Sequence, residues 1–193
     1  MIKKISVVIC LCLGLTFVAC TKDTTNEKAQ TNQSTTAQAT TPDEKVVEVP
    51  VVKEITLTTY TANINTYAIE KLSDIKVKET STLQEKLTAL ANEISTKAFK
   101  GLPITVVKID TSNGTKKAII NLEEKEGTDP NASWSRVFFQ GSTGGTITSK
   151  TLIETFRQKS YTGEWVDSIE FQYNGGSIEA QHAPNLNGTI KRN

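Results

Sequence analysis

The chain has 193 residues, with 22 basic and 21 acidic side chains, one histidine and three cysteines, for a net charge of +1. So even a balance offers no electrostatic capture of nucleic acid. A single histidine, His182, also excludes histidine-based zinc sites and leaves little for Ser-His-Asp or Cys-His catalysis.

In chain order, Lys3 and Lys4 precede an uncharged apolar run from Ile5 to Ala19, which ends at Cys20. The run is shorter than the roughly 20 apolar residues that a membrane-spanning helix needs, and it fits the apolar region of a secretory signal. Phe17-Val18-Ala19-Cys20 resembles the lipobox of bacterial lipoproteins, with Phe17 where Leu is usual. The resemblance implies a signal peptide over residues 1–19, cleavage before Cys20 and a diacylglyceryl group on its sulfur. Two acyl chains hold a protein stably at a membrane, whereas one holds it only marginally. Cys10 and Cys12 would leave with the signal, so the mature chain would contain no disulfide. Lys3 and Lys4 would leave too, turning the net charge from +1 to −1.

Residues 20–53 form a Thr/Gln/Asn-rich stretch without aromatic residues, expected to stay disordered as a tether. As a flexible coil it would reach about 30 Å. Pro42 and Pro50 bracket Val46-Val47-Glu48-Val49, a short apolar patch able to pair as an edge strand but better read as a solvated, extended approach to the domain.

The folded part is expected over residues 54–181. Ile55, Leu57 and Thr59 alternate with Thr56, Thr58 and Tyr60 as a first strand, and Tyr67 with Ile69 suggests a short returning strand after an Asn63-Ile64-Asn65 turn. Thr82-Leu83-Gln84-Glu85 has capping-box spacing, and Leu83, Leu87, Leu90, Ala91, Ile94 and Ala98 follow on one helical face. Gly101 and Pro103 end that helix. Ile104–Ile109 and Lys117–Leu122 are β-branched runs flanking Asn113-Gly114, a hairpin signal. Glu123–Ser133 reads as a polar loop. Gly141-Ser142-Thr143-Gly144-Gly145 leads into a second helix with a narrower stripe of Ile147, Leu152, Ile153 and Phe156. Ile169, Phe171 and Tyr173 form a closing strand, Asn174-Gly175-Gly176 turns the chain, and Ser177–Gln181 is expected to return as an edge strand. Residues 182–193 read as a polar, frayed tail. The order β-β-α-β-β-α-β predicts an α+β domain with one mixed or antiparallel sheet and two helices packed on one of its faces.

Several groups invite chemistry. The Gly141–Gly145 run could face a phosphate but lacks the Gly-Lys-Ser/Thr ending of a nucleotide loop, and Ser142 lacks the Gly-x-Ser-x-Gly setting of a nucleophile. Glu123, Glu124 and Glu126, with Lys125 among them, fit a solvated loop better than a glycosidase pair or a Ca²⁺ site. Trp134, Trp165 and Tyr161 could form a stacking surface for a glycan or a partner. No residue is assigned a catalytic or metal-binding role, and no cofactor is implied.

Residues 55–176 resemble the sporulation and spore germination domain GerMN. The likeness lies in the first strand Glu54–Tyr60 and the Leu-rich helix, and in Thr105–Asp110 with Asn113-Gly114 and Ala118-Ile119-Ile120-Asn121-Leu122. It continues through Phe139–Gly145, through Thr155-Phe156-Arg157-Gln158 (similar to the family's Thr-Leu-x-Gln), and through Val166–Phe171 with Asn174-Gly175. The family implies a non-enzymatic lipoprotein of a Gram-positive envelope, lipid-anchored on the extracytoplasmic face. Its expected partners are membrane lipid through Cys20, an envelope protein or peptidoglycan, and further copies of the chain. This sequence shows one copy of the domain, where germination lipoproteins carry two.

Overall fold

The computed structural model describes residues 52–193 except 126 and 128. The signal, Cys20, the Val46–Val49 patch, Glu126 and all of the tether but Val52 and Lys53 therefore lie outside the described residues.

β1 (Glu54–Ala62) and β2 (Ile69–Lys78) form an antiparallel hairpin. Its turn is organised by Asn63, whose side-chain oxygen accepts from the backbone N–H groups of Asn65 (2.9 Å) and Thr66 (3.1 Å). Tyr67 is in this turn at φ 56°, and the returning strand is ten residues long rather than short. Register passes from Thr59↔Ser73 to Tyr60↔Lys71, leaving Leu72 as an extra residue. That bulge breaks the alternation of Leu72, Ile75 and Val77, which hides the strand from a period-two reading.

α1 (Leu83–Ala98) starts at the expected capping box. Thr82 accepts from the Glu85 N–H, and Glu85 accepts from the Thr82 N–H at 2.7 Å. Leu87, Leu90, Ala91 and Ile94 are fully buried, and Gly101 at φ 76° turns the chain out of the helix. β3 (Ile104–Asp110) and β4 (Lys117–Leu122) pair antiparallel across a 3₁₀ turn at Ser112–Gly114. A π-helical turn at Trp134–Phe138 and α2 (Ser142–Arg157) then carry the chain to β5 (Ser168–Tyr173), which pairs parallel with β4. Helical crossovers are how parallel neighbours are joined.

β6 is only Gly176–Ser177, so the edge strand expected over Ser177–Gln181 is cut to its first residue. Residues 182–193 are not a frayed tail. Pro184–Leu186 form a 3₁₀ turn, Ala183 and Leu186 are fully buried, and β7 (Thr189–Lys191) pairs with β5. Three apolar side chains, Ala183, Leu186 and Ile190, anchor this otherwise polar segment to the core.

The fold is α+β, but with two sheets in place of one. β1–β2 stand alone as a hairpin, and β3-β4-β5 continue into β6 and β7. Both helices touch strands of both sheets: α1 contacts β1, β2 and β3, and α2 contacts β1, β2 and β5. The second edge of β1 meets side chains of α2 instead of another strand. The Gln158 side-chain amide accepts from Thr58 N–H at 3.2 Å and donates to Thr58 C=O, while Thr155 Oγ1 accepts from Tyr60 N–H at 3.0 Å. Thr155 is fully buried and Gln158 is 1% exposed. This explains the narrow apolar stripe of α2, whose buried face includes Thr148, Ser149, Thr151 and Thr155.

Replacing Gln158 by Leu, which keeps the volume but removes the amide, takes its partners from the backbone N–H and C=O of Thr58. We expect a loss of about 2–4 kcal/mol in urea unfolding. An unchanged midpoint would show that the amide does not hold the β1 edge.

Candidate functional site

The aromatic residues singled out in the sequence do not form a surface. Trp134 is completely buried, its Nε1 donating to Glu123 C=O at 3.1 Å, and it packs among Phe99, Phe138 and Phe139 with centroids at 4.7, 5.6 and 5.7 Å. Trp165 is 5% exposed and donates to Phe156 C=O at 2.8 Å. Half-buried Tyr161 meets it edge-on at 5.5 Å. These rings are two parts of the core, so a stacking platform of Trp134, Trp165 and Tyr161 is ruled out. Composition announces aromatics but not which way they face.

The glycine run has a packing role. A Cβ at Gly145 would fall 1.9 Å from His182 O, so only glycine lets the C-terminal chain pass this close over α2. Gly141, at φ 65°, precedes the first residue of the helix.

That approach helps to close a cavity of about 400 Å³, with Ser135, Phe139 and Gln140 on one side, Tyr173 from β5, and the segment from Ser177 to His182 on the other. The volume falls in the range of small-molecule sites. Beside it sits Glu124, which the sequence placed in a solvated loop. One of its carboxylate oxygens accepts from Ser135 N–H (2.9 Å), Ser133 Oγ (3.0 Å) and Tyr173 OH (3.0 Å). Burial alone would push the Glu124 pKa up, but these donors outweigh it and hold the carboxyl below its ordinary 4.5. Burial, aided by the neighbouring carboxylate, raises the Tyr173 phenol above its ordinary 10.0. Tyr173 is therefore a fixed neutral ring, met edge-on by Phe139 at 5.7 Å. Glu123 is turned to other work, accepting from Asn121 Nδ2 at 2.8 Å. Among the described residues, no group of three or more His, Cys, Asp or Glu is placed to hold a metal ion.

No family model matches the chain, and no curated protein matches it. Among solved structures, a crystal structure described as "Putative Lipoprotein from Clostridium perfringens" is similar over 72% of this chain and 87% of its own, with 17% identity and a TM-score of 0.34. That likeness is too distant to carry a fold or a role across.

Because the Glu124 pKa is lowered on folding, its contribution to stability is complete above the unfolded value of 4.5 and fades as pH falls through the folded value. Glu124→Gln should therefore be less stable than the parent near pH 7, with the gap closing in acid. Urea unfolding across that range measures it; a gap independent of pH would remove the carboxylate from this role.

Proposed function

We infer that this protein is a lipoprotein anchored through Cys20 to the outer face of a Gram-positive membrane, its domain serving as a non-enzymatic binding or scaffolding module of the envelope. The GerMN resemblance makes sporulation or spore germination its setting. The anchor reading rests on sequence: a positive start, the apolar run Ile5–Ala19, and Cys20 where that run ends.

The module reading is carried by how the domain uses its reactive and aromatic side chains. Trp134 and Trp165 are committed to the core. One oxygen of Glu124 accepts three donors and the carboxyl is held ionised, which makes it a poor proton donor near neutral pH. A small-molecule or glycan ligand is the second reading, favoured by the cavity beside Tyr173 and not by the two tryptophans.

Metabolic labelling with an alkyne fatty acid tests the anchor. The parent should incorporate label and fractionate with membranes, and Cys20→Ser should do neither. An unlabelled mature protein, or one released to the medium with a different first residue, would overturn the anchor. Crosslinking and pull-down from sporulating and vegetative cells would then define the partner.

A further inference from the structure

We propose that the cavity between the Trp134–Phe138 turn and the segment from Ser177 to His182 binds a neutral sugar ring carrying an acetamido group. The proposal rests on the envelope-module reading and names the chemistry of its ligand.

Tyr173, Phe139 and Ile178 give the cavity an apolar wall. Tyr173 is pinned at its hydroxyl by Glu124 and at its ring by Phe139, so it presents a rigid surface at little entropic cost. The C–H face of a pyranose suits such a ring, because an aromatic body accepts apolar contact while its rim stays wet. Hydroxyls, side-chain amides and a carboxylate surround that wall, from Ser135, Gln140, Ser177, Glu179 and Gln181. Gln140 is oriented by donating Nε2–H to Ser135 C=O at 2.6 Å, which leaves its amide oxygen as an acceptor for an acetamido N–H. Ile178 and Ala180 supply an apolar corner for the acetyl methyl.

Charge selects against other ligands. Among the described lining residues there is no lysine or arginine; the basic side chain there is His182, and an anion also meets Glu179. A cation gains little: Glu179 is exposed and screened, and the charge of Glu124 is already met by three donors. The remaining polar groups are mostly neutral, and they match a ligand rich in hydroxyl and amide groups.

The test uses the full-length chain in detergent, titrated with the trimer of N-acetylglucosamine by calorimetry, with maltotriose as the unacetylated comparison. We expect saturable binding, weaker for maltotriose. Gln140→Ala and Tyr173→Ala should each reduce it by about 3- to 10-fold. Gln140 is exposed, so its truncation reports on the site without threatening the fold, and circular dichroism verifies folding of the Tyr173 variant. Absence of saturable binding to the parent, or binding that neither substitution changes, would overturn the site. Equal affinity for maltotriose would overturn the acetamido assignment. Retention on purified peptidoglycan sacculi, lost in Gln140→Ala, would identify a glycan strand as the source; binding of the trimer without such retention would exclude the strand and leave a free sugar. Loss of the Cys20 anchor would leave every one of these titrations unaffected, so the two readings fail separately.

Discussion

A glutamine side chain completes a β-sheet edge in this domain. Gln158 offers Thr58 the same donor and acceptor that a neighbouring strand would, and Thr155 does part of the same for Tyr60. Buried peptide groups left unpaired are costly, so β1 could not otherwise lie against a helix. The clamp sits where α2 ends, with Gln158 in the left-handed region at φ 42°. It fixes helix and hairpin to each other at one place, and it lets the hairpin remain a separate sheet.

The same helix end is closed from the other direction. The Arg192 guanidinium donates to the carbonyls of Arg157, Gln158 and Tyr161, while Arg157 Nε returns a bond to Arg192 C=O. Cations satisfy helix C-terminal carbonyls well. With β7 on β5 and His182 pressed over Gly145, the last residues are held at three points along α2 and the sheet. That path begins at His182, where the segment from Ser177 that forms one wall of the cavity ends. The shape of that cavity thus depends on a segment that is mostly polar in sequence.

What the sequence made legible was local. The capping box at Thr82 and Glu85, the α1 stripe and the β3–β4 hairpin each declare themselves within a few residues, and each is present. What stayed hidden depended on partners distant in the chain. Leu72 as a bulge disguised β2, because alternation reads as noise once the phase shifts. The role of Gln158 required β1, some 100 residues earlier. Trp134 and Trp165 looked like candidates for recognition because composition carries no direction of burial. Glu124 was indistinguishable from its charged neighbours until Ser133, Ser135 and Tyr173 were brought around it.

The long second strand of the hairpin bears on how copies of this domain meet one another. Among the described residues β2 pairs only with β1, so its far edge has no strand partner. Lys71, Lys76 and Lys78 stud that ribbon, and the Leu72 bulge distorts it. Such charges and kinks discourage strands of neighbouring molecules from zipping together. Anchored to a membrane as proposed, the domain would meet other copies with a flank built to slide past instead of polymerise.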